Sequence, residues 1–291
     1  MGYRPPDMNQ SLSPVAREAI LELRSGQSFA LRNRQAIADV RDGIGLWRLA
    51  ATLGWLDIRL RYRGSMLGPL WLTISTGVMV GMLGFLYSKL FHMNLAEYLP
   101  FLALSQVLWG FLATMVGEAC STFIEMVGLI RSVRMPMFLF AMRVVIRNLL
   151  VLAHNVVVFV AVFAIFRIWP GWDIALIIPG VVLWTLDALA LTLLLGGLCA
   201  RFRDITPIVN SLLQIVFFIT PVIWKPDQLG EYQVYLPFNP LYDLLEIVRA
   251  PLLGDHVSRA TWVGAFGFSA LVCLVSWLFF IRARGRVAFW V

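Results

Sequence analysis

Residues 148–166 read NLLVLAHNVVVFVAVFAIF, nineteen residues without a formal charge, closed by Arg147 on one side and Arg167 on the other. A helix rises 1.5 Å per residue, so the run reaches about 28 Å, close to the thickness of a bilayer's hydrocarbon core. The flanking arginines mark where the chain returns to water. Four more uncharged runs of similar length stand at 66–88, 98–117, 205–224 and 260–281. A sixth, 174–198, contains one charge, Asp187, and 14 Leu, Ile, Val and Phe residues. An Asp at a helix centre costs about 3 kcal/mol on the insertion scale, and each of those apolar side chains returns about 0.5 kcal/mol. The apolar sum is about twice the penalty, so this run is also expected to insert, with a bend near Pro179 or Gly180.

The composition agrees. The 291 residues are 59% hydrophobic and only 14% charged, against about 25% charged in soluble domains. The net charge is +7, and all basic residues but Lys89 and Lys225 are arginine. If residue 1 is placed in the cytoplasm, 19 of the 24 basic residues fall in cytoplasmic segments, the bias that sets membrane topology. The charge is therefore read as topology, and no nucleic-acid partner is expected. No cleaved leader is expected either. Cys120, Cys199 and Cys273 lie far apart in apolar surroundings and read as small buried hydrophobes. His92, His154 and His256 are isolated, so no metal site is expected.

These readings give an all-α polytopic membrane protein with six transmembrane helices and both ends cytoplasmic. Residues 1–44 read as a polar tail with a short helix near Pro14 to Arg24, and residues 45–291 as the membrane domain. Leu46, Leu49, Leu53, Leu56 and Leu60 recur at helical spacing, with Arg48, Asp57, Arg59, Arg61 and Arg63 off that face. That pattern predicts an amphipathic helix in the cytoplasmic interface. Residues 121–134, STFIEMVGLIRSVR, have helical spacing but are too short and charged to cross, and Pro136 follows. This is the natural place for another protein to push on the membrane domain. Between spans five and six, 235–242 and 244–253 are apolar pieces broken by Pro237, Pro240 and Pro251. Each is too short to span, which predicts short re-entrant helices.

Four stretches in order, Asp57 to Trp71, Glu125 to Pro136, Arg203-Asp204 with Thr220-Pro221-Val222-Ile223, and Phe238-Asn239-Pro240-Leu241 with Arg249, carry a resemblance. The chain resembles the permease subunits of ABC-2 type exporters, in the branch that exports polysaccharides such as O-antigen, capsule and teichoic acid. The resemblance runs from about residue 50 to the end. It implies a homodimer with a pathway between subunits, two copies of a separate ATPase carrying ATP and Mg, and a lipid-linked glycan moved outward across a bacterial inner membrane. The chain has no GxxxxGK[ST] phosphate loop, so it is expected to be a transporter subunit without enzymatic activity or a cofactor of its own.

On that reading Glu125, Arg131, Arg134 and Pro136 belong to the loop that meets the ATPase. Arg59, Arg61, Tyr62 and Arg63 lie where a lipid carrier is admitted, although anionic headgroups, worth about 1 kcal/mol per basic residue, also explain the arginines. Sugar rings present C–H faces that aromatic side chains stack on, so Trp71, Trp109, Phe111, Phe217, Phe218 and Trp224 are candidates to line the pathway. Interface anchoring or ordinary packing competes at each of them. Tyr235, Phe238, Asn239 and Arg249 mark the outer re-entrant region. Asp187 reads as a hydrogen-bonded carboxyl inside the bundle, near Trp184 or Thr185. The alternatives are an ABC-2 exporter of small hydrophobic compounds, an ion-coupled secondary transporter and a membrane enzyme of glycolipid synthesis. The latter two predict internal repeats or converging carboxylates, and neither is evident.

Overall fold

A computed structural model describes residues 28–68 and 70–290. The helix expected near residues 14–24 lies outside them. Among the described residues the fold is all helix and turn. The α-helices are α1 Phe29–Gly45, α2 Trp47–Arg61, α3 Leu70–Leu90, α4 Leu95–Glu125, α5 Val127–Ser132 and α6 Met137–Phe166. Then follow α7 Ile177–Arg201, α8 Ile205–Ile219, α9 Pro240–Leu253, α10 Arg259–Ala283 and α11 Val287–Trp290. Tight helical turns occupy Trp172–Leu176, Pro226–Phe238 and Arg284–Arg286.

Helices α3, α4, α6, α7 and α10 are long and apolar enough to cross a bilayer, and α8 is a shorter apolar helix. The chain is a multi-pass membrane protein. The crossing expected over 205–224 is helical only to Ile219, fifteen residues that rise about 22 Å. Thr220 is extended at φ −85°, ψ 134°, because the ring of Pro221 disfavours helical geometry in the residue before it. In the fourth crossing Pro179 is the third residue of α7, in the first turn, where its missing N–H would have had no partner within the helix.

Two helices run past the expected bounds. α4 continues to Glu125 and α6 begins at Met137, so the segment between the second and third uncharged runs, with helical spacing expected over 121–134, is largely helix and continuous with the two spans. The charges that bound the second and third uncharged runs neutralise each other: Arg147 Nη2 lies 2.6 Å from Glu118 Oε2. Only α5, six residues long, stands off at the turn.

α9 is buried along most of its length, from Tyr242 to Leu252, among α4, α7 and α10. This is re-entrant backbone enclosed in protein, the form in which it is tolerated at membrane depth. The turns at 226–238 break at Gly230, φ 56°, and leave Tyr232, Val234, Tyr235 and Phe238 exposed.

The interfacial helix forms as α2, but its docked face is Ala50, Gly54 and Ile58. Leu46, Trp47, Trp55, Leu56 and Leu60 remain exposed, an apolar surface for the interface. Gly54 permits the contact: a Cβ there would lie 3.0 Å from the Arg143 carbonyl oxygen and 3.3 Å from the Arg147 amide nitrogen of α6. Both obstacles are backbone and cannot rotate away. Gly54→Val is expected to destabilise the protein by about 1–3 kcal/mol. Gly45→Ala, where a Cβ meets open space, is expected to leave the melting temperature unchanged in the same detergent scan.

α1 is a helix whose docking the polar composition did not announce. Its buried stripe of Ala36, Asp39 and Gly43 packs against α6 and α10. The Asp39 carboxylate accepts from the Met137 and Phe138 amides at 3.2 and 3.0 Å and from Arg284 at 3.0 Å. It thereby caps α6, whose own N-cap residue Pro136 has no side chain to do so.

Candidate functional site

The bundle carries one polar cluster at each end and a surface of uncovered span between them. The first cluster joins α2, α4 and α6. Asp57 and Arg61 stand one turn apart on α2, and Arg143 and Arg147 one turn apart on α6. Arg143 holds Asp57 with two nitrogens: Nε lies 2.7 Å from Oδ2 and Nη2 donates to Oδ1 at 2.7 Å. Arg147 reaches Asp57 at 3.2 Å and donates Nε and Nη2 to Glu118 at 3.1 and 2.6 Å. Glu118 also accepts from Asn148 at 2.6 Å and from Arg61 at 3.0 Å. Arg143 and Arg147 are each 4% exposed, so water does little to screen them. Paired, multiply hydrogen-bonded charges tolerate such burial; a lone one would not.

Sequence reasoning missed this cluster. It used Glu118 and Arg147 to bound spans and placed Arg61 at the lipid surface. The available signal was an Asp57/Arg61 step on one helix matching an Arg143/Arg147 step on another. Arg59, Arg61 and Arg63 are all exposed and Tyr62 is half-buried; of that group Arg61 joins the cluster, through Glu118.

Next to this cluster lies the turn between α4 and α6. Ile130 of α5 is buried with Phe123, Phe138 and Phe140. Glu125, Arg131, Ser132, Val133 and Arg134 are exposed, and Pro136 is half-buried. Ser121 donates to the Glu125 carboxylate at 2.6 Å. The result is an anchored helical turn with a mixed-charge outer face. The C-terminal α11 packs beside α5.

The second cluster sits at the other end, within the first turns of α4. Arg249 of α9 is 1% exposed. It donates to Ser105 at 3.0 Å and to the Pro221 carbonyl, and pairs with Glu246 through Nε at 2.9 Å and through Nη2. Its guanidinium lies 4.6 Å from the centre of the Phe101 ring. The Tyr98 hydroxyl donates to the Ile223 carbonyl. Asn239 donates to Thr220 at 2.9 Å and caps α9 by accepting from the Leu241 and Tyr242 amides. The break after α8 frees carbonyls that no helix satisfies, and these side chains take them up. The 220–223, 238–241 and Arg249 stretches therefore meet in one place.

The six lining candidates separate. Trp109 and Phe111 are buried at 5% and 6% exposure, packed on Phe217 and stacked on Trp184 respectively, so neither reaches a surface of this protomer. Trp71 and Phe218 are exposed, and Phe217 and Trp224 half-buried. α8 has no buried residue and packs chiefly on α4. Its open surface carries Asn210, Ser211 and Gln214 beside Ile208, Leu212 and Ile215. A polar stripe on a membrane helix needs a partner or water to face. The sequence reading passed over this stripe, although its spacing of one, three and four is helical. Asp187 is buried and accepts from Ser269 of α10 at 2.7 Å, a different partner from those expected.

A family model described as ABC-2 type transporter matches residues 48–253. The O-antigen export system permease protein RfbA of Myxococcus xanthus is 28% identical over 198 residues, covering 67% of this chain and 76% of the relative. Two proteins of the same name from Klebsiella pneumoniae are 23% and 22% identical, each over 65% of this chain and 74% of the relative. Both polar clusters lie wholly inside the region that the family model matches, whereas α1 and α10 lie outside it.

Proposed function

The chain belongs to the ABC-2 type transporter family, and on that premise we propose that it is the membrane subunit of an ATP-driven exporter of a lipid-linked polysaccharide, of O-antigen or capsule type. The observation that carries this reading is its likeness, over about two thirds of its length, to relatives named as O-antigen export permeases. The subunit works as a homodimer in a bacterial inner membrane, with both termini in the cytoplasm and a separate ATPase on each protomer. ATP and Mg reside on that ATPase, which docks on the α5 turn and its exposed Glu125, Arg131 and Arg134.

The uncovered face of α8 supports a pathway between subunits. Asn210, Ser211 and Gln214 offer hydrogen bonds to sugar hydroxyls, and Phe217, Phe218, Trp224 and Trp71 offer ring faces to sugar C–H surfaces. Such contacts let a polymer slide, because each is weak and is replaced by the next. Arg59, Tyr62 and Arg63 stand where the carrier is admitted, and Tyr232, Tyr235 and Phe238 where the glycan leaves.

The test is ATP hydrolysis by the complex of this chain with the ATPase of its genomic neighbourhood, reconstituted in lipid. A lipid-linked glycan is expected to stimulate hydrolysis. Stimulation by small amphiphiles and by no glycan would instead make it an exporter of small hydrophobic compounds.

A further inference from the structure

Asp243, in the first turn of the re-entrant helix α9, is 0% exposed. Among the described residues neither of its carboxyl oxygens has a hydrogen-bond partner. Arg143, Arg147, Arg249 and Asp39 are buried too, but each of them faces an opposite charge. The Asp243 carboxyl is instead pressed against a glycine of α10. A Cβ on Gly264 would overlap Asp243 Oδ2 and lie 2.9 Å from Cγ. The Pro237 carbonyl oxygen borders the same notch, 3.5 Å from that Cβ position. The start of α9 is thus seated in a notch that a glycine leaves open, and a carboxyl fills it.

The surrounding charges do not offset the burial. Glu246, three residues on along α9, has the same sign, and Arg249 is committed to Glu246, Ser105 and the Pro221 carbonyl. On α10 the stretch from Thr261 to Ser269 holds no ionisable residue. Neither does α7 from Gly180 to Trp184, which lies against Val248 and Leu244 of α9; further along α7, Asp187 turns to Ser269. On α4 the Tyr98 hydroxyl donates to the Ile223 carbonyl. In the turns before α9, Lys225 lies over the Phe101 ring and Asp227 is felt at Tyr242. In the turn Trp172–Leu176, Asp173 faces His256 at 3.7 Å. Burial first, then Glu246, push the Asp243 carboxyl up to about 7. A helix N-terminus favours an anion, but weakly compared with the cost of burying an ion that has no partner. The neutral acid is the form this packing accepts.

We propose that Asp243 is a proton-binding site that seats the re-entrant helix α9 on α10. With its proton the carboxyl fills the Gly264 notch. When the proton passes to water, the carboxylate left behind needs hydration, water enters the seam between α9 and α10, and the first turn of α9 loosens. That turn follows the Asn239 cap, and the same helix carries Arg249, so the packing over the break after α8 comes to depend on pH. The site stands whatever the chain exports.

The folded-state value lies above the unfolded one, so the stability that neutral Asp243 contributes is present in full below about pH 4 and is lost as the pH rises through about 7. Asp243→Asn has nearly the same shape and cannot ionise. Between about pH 5 and pH 8 the melting temperature of the detergent-purified wild type is expected to fall by about 5–8 °C relative to this variant. A gap that stays constant overturns the proposal. Asp243→Leu, which cannot ionise either, is expected to show the same widening; failure of both variants to fold at every pH would mean that the site requires a charge, and overturns the proposal as well. The infrared spectrum of wild type minus variant is expected to show the carbonyl band of a protonated carboxyl at about pH 5 and its loss by about pH 8. A carboxylate band already present at the lower pH overturns the proposal. At about pH 8, amide hydrogen exchange over residues 240–247 is expected to be about tenfold faster in the wild type than in Asp243→Asn, and equal at about pH 5. Equal exchange at both values would show that losing the proton does not loosen α9, and overturns the seating.

Discussion

Replacing Arg249 with alanine is expected to lower stability by about 3–5 kcal/mol, because it strands charge and hydrogen-bonding groups that the fold has removed from water. The guanidinium is 1% exposed and serves Ser105, the Pro221 carbonyl and Glu246. Without it Glu246 loses its countercharge, and the Pro221 carbonyl has neither a helix nor water to turn to. For a chain of this size the loss corresponds to about 10 °C in melting temperature, readable by fluorescence-detected size exclusion of the heated, detergent-purified protein. Arg249→Lys is expected to recover less than half of it. An ammonium supplies one compact charge where the planar fork reaches three partners in different directions. A lysine variant that melts with the wild type would show that charge alone matters at this position, and that the geometry around the broken helix α8 does not.

The second large effect is expected at Glu118, which answers three donors: Arg61, Arg147 and Asn148. Glu118→Ala leaves the buried Arg143 and Arg147 to share Asp57 and takes from Arg61 its carboxylate partner, again a loss of about 3–5 kcal/mol. Adding Arg147→Met relieves most of that imbalance, since Arg147 is the arginine that bridges both carboxylates. The double variant is therefore expected to be more stable than the sum of the two single losses by about 1–3 kcal/mol. Additive melting shifts would mean that Arg147 and Glu118 do not act as one unit, and would remove the basis for treating α2, α4 and α6 as clamped together.

The two clusters differ in how far they were legible. Arg249 was picked out with Asn239 and Thr220–Ile223, as separate motifs along the chain. Their common purpose was hidden, because it depends on α9 folding back to place Arg249 beside Ser105 of α4, 144 residues earlier in sequence. Glu118 and Arg147 were visible as charges but were assigned the opposite role. A charge at the end of an apolar run normally meets water, and only the neighbouring helix reveals that it meets another charge instead. Trp109 and Phe111 show the converse. Aromatic residues deep in a span suit a lining or a core equally well by composition, and the packing of Phe217 and Trp184 against them decides for the core.

The membrane itself was determined by sequence alone. Runs of about twenty apolar residues have few alternatives to crossing a bilayer as helices, since lipid offers the backbone no hydrogen bonds. The interfacial helix and the re-entrant segment followed from the same length rule, as apolar stretches too short or too amphipathic to cross. What only the tertiary structure decided is what the polar groups near each helix end touch. Helix α4 runs past Glu118, which Arg147 neutralises, and where α8 stops ahead of Pro221, Arg249, Tyr98 and Asn239 satisfy what its break leaves open. Hydropathy is a property of each residue summed along the chain, whereas the cost of a buried charge or carbonyl is set by a partner, and the partner is chosen by the fold.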